Sequence, residues 1–308
     1  MTTVLVTGAA GFIGSHMVKL LLKEGFNVIA VDNLRSGRIE NLKDVLNRIH
    51  FYKIDIRNEE IGKVIREADI VIHMAAVVNI QDFYERPKEG FDINVNGTVN
   101  LLEYARKYEV ELFEFASSAA VYGNPIKLPI SEDHPTNPLH PYGASKLAGE
   151  KIGMTYFYTY GLKFIGFRIF NVYGPRMTGG FYAGVIAKFI ESALSGKPLT
   201  IFGSGEQTRD FIYVEDITNG FLAGIKRRKA GIFNLGTGRV ITINELAKII
   251  KRLTNSDSQI IWTDPRPGDI MHSRADISKA KSELGWEPKF DILTGLKRTI
   301  NWYRCIRR

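Results

Sequence analysis

Tyr142 and Lys146 stand four residues apart in Tyr142-Gly-Ala-Ser-Lys146. On a helix that spacing puts a phenol and an ammonium on one face, a pair that could move a proton. A tyrosine near its ordinary pKa of about 10 is a poor base at neutral pH. A cation beside it stabilises the phenolate, so the spacing predicts that Lys146 draws the phenol toward the working range. Many helices carry Tyr-x-x-x-Lys by chance. Its meaning depends on what else the chain brings to it.

The N-terminus brings a dinucleotide signature. Val4-Leu5-Val6-Thr7 runs into Gly8-Ala9-Ala10-Gly11-Phe12-Ile13-Gly14, with glycines spaced three and three ahead of an amphipathic helical pattern. The first glycine permits a tight turn, the second lets the backbone reach a pyrophosphate, and the third allows close helix packing. Asp32 follows Gly14 by 18 residues at the end of a second strand pattern. A carboxylate there would accept hydrogen bonds from an adenosine ribose and repel a 2′-phosphate, which favours NAD over NADP. A bound nicotinamide would add its positive charge to that of Lys146. Asp55-Ile56, closing a third strand pattern, reads equally as an adenine contact or as a plain turn aspartate.

The elements that must position these groups alternate strand and helix through the first half. Strand patterns fall at 3–6, 28–31, 50–54, 70–73, 112–116 and 164–168, with helical patterns at 14–23, 94–107 and 142–160. That cadence predicts an α/β fold, a doubly wound parallel (Rossmann) sheet binding ligands beyond the carboxyl ends of its strands. After Pro175 the regularity breaks into helices near 182–195 and 243–253, short strands and Gly/Pro-rich turns. The expected organisation is a dinucleotide-binding domain over 1–171 and a smaller mixed α/β domain over 172–308. Parts of 207–245 are expected to pack back on the first domain, with a cleft between the two.

Bulk properties exclude several classes. The 308 residues are 44% hydrophobic and 24% charged, ordinary for a globular protein. No apolar run reaches membrane-spanning length, and the opening stretch lacks the features of a signal peptide. The single cysteine, Cys305, excludes an internal disulfide framework and fits a reducing interior, so cytoplasm is the expected location. A net charge of +8 permits an anionic partner. The basic runs at 226–229 and 304–308 close helical patterns, where cations complement the dipole, and no nucleic-acid module is recognisable. The six histidines (His16, His50, His73, His134, His140 and His272) show no metal-ligand spacing.

With the glycine triplet, Asp32 and Tyr142/Lys146 in place, the sequence resembles the extended short-chain dehydrogenase/reductase family, and more narrowly its NAD-dependent nucleotide-sugar 4-epimerases. The resemblance runs nearly end to end. Its further landmarks are Asn96-Gly97-Thr98, the stretch 117–123, Phe170-Asn171-Val172-Tyr173-Gly174-Pro175, Arg209-Asp210-Phe211-Ile212-Tyr213-Val214 and the stretch 266–269. It implies Ser118 as the third catalytic residue beside Tyr142 and Lys146. It implies NAD held by Gly8, Gly11, Phe12, Ile13, Gly14, Asp32, Asn33, Asp55, Ile56, Ala75, Asn94 and Lys146. It places Asn171, Arg209, Arg266 and Asp269 around a UDP-sugar, where arginines suit bidentate phosphate binding. Phe202 reads as a uracil neighbour or as a core aromatic. A homodimer built on the helices at 94–107 and 142–160 is implied too.

The implied reaction is oxidation and re-reduction at C4 of a UDP-hexose through a transient 4-keto sugar, UDP-galactose to UDP-glucose. Related dehydratases and decarboxylases usually carry a carboxylate just after the catalytic Ser/Thr, since eliminating water or moving a second proton needs another acid or base. Here those positions are Ala119 and Ala120. That argues against a 4,6-dehydratase and, less strongly, against a UDP-glucuronate decarboxylase. A glucuronate 4-epimerase stays open. So does an NAD-binding regulator without catalysis, although such proteins often lack the Tyr/Lys pair. Ser273 falls where the family varies between tyrosine and small residues, and a small residue leaves room for a 2-N-acetyl group.

Overall fold

The computed structural model describes residues 1–177, 184–266 and 268–307. Tyr182 and Ala183 of one expected helix, Pro267 of the 266–269 stretch and Arg308 of the terminal basic run lie outside them.

Six strands of the first half are β1 (Thr3–Thr7), β2 (Asn27–Val31), β3 (His50–Tyr52), β4 (Ile70–His73), β5 (Leu112–Ser118) and β6 (Phe164–Ile169). Most of their residues are buried apolar side chains, as expected of parallel strands covered on both faces. A seventh strand, Gly231–Leu235, joins β6, giving the parallel order Gly231–Leu235, β6, β5, β4, β1, β2, β3. The order reverses beside β1, which pairs with β2 on one side and β4 on the other. This switch point is where an open α/β sheet leaves a crevice for a ligand.

The helices of the first half are α1 (Phe12–Lys23), α2 (Ile61–Ile65), α3 (Ile80–Glu85), α4 (Pro87–Phe91), α5 (Gly97–Lys107) and α6 (Pro141–Tyr160). Four elements depart from the bounds read in the sequence, and two of the departures have local causes. Strand 50–54 ends at Tyr52, and strand 112–116 runs on to Ser118. Helix 94–107 begins at Gly97 behind a π turn, Asp92–Asn96. That turn points Asn94 inward, where its amide bonds the Val77 backbone at 2.8 and 2.9 Å and Ser145 Oγ at 3.0 Å. Helix α6 starts with Pro141, whose missing N–H suits a first turn, and stops at Gly161 in the left-handed conformation.

The later residues build a second core from helices Val185–Leu194, Ile243–Thr254 and Ile292–Ile306 with the strand pair Leu199–Phe202 and Ile260–Thr263. Phe12, Ile13 and Val172 pack against it from the sheet side. The helix Val214–Arg227, by contrast, belongs with α1 against the sheet, its Ile217, Phe221 and Ile225 buried among β-strand side chains. No helix among the described residues is long and apolar enough to cross a membrane.

Candidate active site

A cleft of about 330 Å³ opens over the switch point. Its floor is the turn from β1 to α1. Gly8 has φ +67°, and a Cβ there would lie 2.8 Å from Ala75 N. A Cβ on Gly14 would lie 2.1 Å from the Gly8 carbonyl oxygen. Both glycines are therefore required by backbone approach. The first turn of α1 carries no side-chain cap, which leaves its N–H groups facing the cleft.

Asp32 directly follows β2 and accepts from Ala10 N at 3.0 Å and Leu34 N at 2.8 Å. Burial lifts its carboxyl above the ordinary value, against those two N–H donors. Asn33 donates to Asp55 at 2.9 Å. The Arg57 guanidinium, paired with Asp55 at 2.9 Å, holds that carboxyl down to about 2. Gly8, Gly11, Phe12, Ile13, Gly14, Asp32, Asn33, Asp55, Ile56 and Ala75 all line the cleft. Asn94 is set behind its wall, holding Val77 in place. A turn with no room for side chains, free helix N–H groups and a carboxylate at the end of β2 fit a dinucleotide lying along this cleft.

At the far end of the cleft Ser118, Tyr142 and Lys146 meet. Ser118 closes β5, and its Oγ accepts from Ala120 N at 3.2 Å, capping a single turn made of Ala119, Ala120 and Val121. Tyr142 sits in the first turn of α6, capped by His140 Nδ1, which accepts from Gly143 N at 3.2 Å. The Ser118 hydroxyl is the polar group that acts on the Tyr142 phenol, favouring its charged form. Lys146 is buried and donates to the Ala116 carbonyl at 2.8 Å.

The electrostatics differ from the expectation of a phenol lowered by its lysine. Burial raises the Tyr142 phenol above its ordinary value, with Ser118 opposing. Burial also drives Lys146 from 10.5 down to about 7, against the pull of Glu150. Desolvation outweighs the Coulombic help because both groups lie in the same low-dielectric pocket. The groups that stabilise a phenolate here are the Ser118 hydroxyl, the positive end of α6 and whatever positive charge a cofactor carries.

A second cavity of about 530 Å³ lies in the later core, lined by Phe202, Arg266 and Asp269 with Trp262 and Gln207. The Arg266 guanidinium stacks 3.8 Å from the Phe202 ring centroid. Arg209 pairs with Asp269 at 2.5 Å across 60 residues of sequence. Asn171 bonds the Asp210 carbonyl through its backbone at 3.1 Å and its amide at 3.4 Å, between cleft-lining Phe170 and Val172. Ser273 is buried, its N–H donating to the Thr208 carbonyl at 3.2 Å.

Several lining residues escaped the sequence reading. Arg35 and Ser36 border the Asp32 end, and Met74, Ala76 and Val77 form the wall after β4. The rule that ligands sit past strand ends could have found the β4 set, since these residues directly follow His73. No group of three or more His, Cys, Asp and Glu side chains among the described residues is placed to hold a metal ion.

Known proteins resemble this chain over nearly its whole length. A UDP-glucose 4-epimerase of Mycolicibacterium smegmatis is 38% identical over 306 residues, covering 97% of this chain and 98% of that protein. A UDP-glucuronate 4-epimerase of Thermodesulfobacterium geofontis is 40% identical over 311 residues, covering 97% of this chain and 95% of that protein. The crystal structure of a UDP-glucose 4-epimerase with UDP-glucose from Thermotoga maritima superposes with a TM-score of 0.95 at 39% identity, covering 100% of both chains. Residues 4–236 match the model of the NAD dependent epimerase/dehydratase family. With that match spanning the dinucleotide turn, Asp32, Ser118, Tyr142 and Lys146, the chain belongs to the NAD dependent epimerase/dehydratase family.

Proposed function

We propose that this protein inverts C4 of a UDP-hexose, interconverting UDP-galactose and UDP-glucose, with NAD retained through the cycle. The observation that carries the reading is the meeting of Ser118, Tyr142 and Lys146 at the inner end of a dinucleotide cleft, beside a turn whose positions 119 and 120 are alanine.

NAD, when bound along Gly8–Gly14 and Asp32, supplies a reversible acceptor for the hydrogen on C4. The chain's own residues do the rest. Tyr142 takes the proton of the 4-hydroxyl as the 4-keto sugar forms, and returns it after the sugar presents its other face. Ser118, lining the cleft beside the phenol, holds the sugar 4-oxygen within reach of that exchange. Lys146 holds the nicotinamide ribose and, in its protonated form, adds positive charge beside the phenolate. The second cavity suits the nucleotide: Arg266 for the diphosphate, Asp269 for the ribose and Phe202 for the base, with Arg209 joined to it through its pair with Asp269. A nucleotide gripped there leaves the hexose free to turn over in the cleft.

A uronate reading has a specific observation in its favour, the 40% identity to a glucuronate 4-epimerase. Product analysis over UDP-galactose, UDP-glucuronate and UDP-N-acetylglucosamine, without added cofactor, separates the readings. UDP-galactose converted to UDP-glucose supports the proposal. Conversion of the uronate alone, or release of carbon dioxide, refutes it. Ser273 lines neither cavity, but by the family resemblance a small residue there leaves room for an N-acetyl group, so wild type is expected to turn over UDP-N-acetylglucosamine and Ser273→Tyr to lose that activity. Equal turnover by both would end the gating idea. We also infer a cytoplasmic homodimer packed through α5 and α6, which sedimentation of the purified protein tests.

A further inference from the structure

Behind the catalytic side chains lies a buried polar network with no part in the proton transfers described above. Glu150 follows Lys146 by one turn of α6 and is 1% exposed, and Arg168 on β6 is 4% exposed. Arg168 Nη2 donates to Glu150 Oε2 at 2.8 Å, and its Nε donates to the two carboxylate oxygens at 3.0 and 3.2 Å. Ser117 Oγ donates to Glu150 Oε1 at 2.5 Å. Arg168 Nη1 donates to the Glu132 carbonyl at 3.0 Å, and the guanidinium lies over the Tyr122 ring. A buried ion pair is weak evidence for stability, because apolar residues of similar volume commonly hold a core as well or better. Its placement carries the meaning. Ser117 directly precedes Ser118, and Glu150 shares a helix face with Lys146 and Tyr142.

We propose that Glu150, clamped between Ser117 and Arg168, is a positioning residue for the Ser118, Tyr142 and Lys146 set: its hydrogen bond to Ser117 fixes the end of β5 against α6, one helical turn from Lys146. Lys146 is faced by Tyr142 and Glu150 from α6, and by the Ala116 carbonyl and the Phe115 ring from β5. From β4 it is faced by His73, itself kept neutral by burial and by the Lys146 charge. Arg168 approaches from β6 through Glu150, with Glu132 and Tyr122 beyond it. Glu150 is the anion that opposes the burial of Lys146. Without it the ammonium, already drawn down to about 7 by burial, would lose its proton at still lower pH, and Ser118 would lose the anchor of its neighbour.

The positioning role rests on the proposed reaction, whereas the charge on Lys146 is readable without substrate. The experiment therefore follows Lys146 by NMR of ε-¹³C-lysine in the purified protein, with Lys146→Met assigning the signal. Glu150→Gln alone leaves Arg168 a buried, unpaired cation, so Glu150→Gln/Arg168→Gln is made beside it to remove both charges. In the folded variants the Lys146 midpoint is expected to move to acid by about one pH unit or more. The alkaline limb of kcat should move with it while KM for the UDP-sugar changes little. Ser117→Ala keeps the ion pair, and is expected to lower kcat about tenfold with the Lys146 midpoint unmoved, one hydrogen bond's worth of transition-state positioning. A wild-type Lys146 midpoint in a folded Gln variant, or wild-type kcat in Ser117→Ala, overturns the proposal. If no UDP-sugar is converted by wild type, the reaction reading fails while the NMR result still stands for or against the charge.

Discussion

Replacing Lys146 by methionine should make the cofactor-free protein more stable while abolishing its reaction. Methionine keeps an unbranched chain of similar length against Phe115 and the strand end, so the main change is the loss of a buried amine. Burial lowers that amine from 10.5 in the unfolded chain to about 7 in the fold. Below pH 7 both states carry the proton, and the folded state bears the full cost of a buried cation. Between 7 and 10.5 the unfolded chain holds a proton that the folded one lacks, so the wild type gains stability as pH rises. A shift of this size corresponds to about 5 kcal/mol over the whole window, at 1.36 kcal/mol per unit. Integrated between pH 6 and 9, it gives a wild-type gain of about 2.5 kcal/mol that Lys146→Met should not show. Urea unfolding of both proteins at pH 6, 7.5 and 9 measures the difference directly. The variant's advantage should be largest at pH 6 and shrink as pH rises. A constant difference across the three pH values, or an advantage that grows with pH, refutes the burial argument for Lys146.

Two further substitutions follow from the same physics. Glu114 on β5 is fully buried with neither carboxyl oxygen partnered, and burial raises its pKa well above the ordinary range. It folds protonated, so it takes stability away as pH rises above the unfolded value near 4.5, and Glu114→Met should gain about 1–3 kcal/mol at pH 7. Denaturation at pH 5 and pH 8 checks this, and a variant less stable at both would count against it. Gly14→Ala would set a Cβ 2.1 Å from the Gly8 carbonyl oxygen, forcing the turn open at about 1–3 kcal/mol. NAD titration calorimetry should show weakened binding; an unchanged Kd would mean the turn is not the cofactor's floor.

What was legible in the sequence was local. The β1 turn, α1 and Asp32 sit within 32 residues, and their roles follow from glycine spacing and one strand end. Tyr142 and Lys146 were legible because a helix turns sequence spacing into a shared face. The π turn at Asp92–Asn96 was not, because it serves a side-chain bond from Asn94 to Val77 that no periodicity announces. The seventh strand, Gly231–Leu235, was hidden for a related reason: its partner β6 lies some sixty residues earlier. Desolvation was the hardest to foresee. The pair read as a phenol eased by an ammonium, whereas depth in the fold moves both groups away from their charged forms. Likewise the Arg209–Asp269 and Arg168–Glu150 pairs depend on tertiary approach.

The central claim is that Ser118, Tyr142 and Lys146 invert C4 of a UDP-hexose without exchanging its hydrogen with water. UDP-galactose deuterated at C4, incubated with the purified protein in ordinary water, tests it most directly. The account predicts UDP-glucose that keeps the deuterium at C4, with Tyr142→Phe slowed by about 10² to 10⁴ and still binding NAD. UDP-glucose whose C4 label has washed into solvent, or equal conversion by Tyr142→Phe, would contradict it.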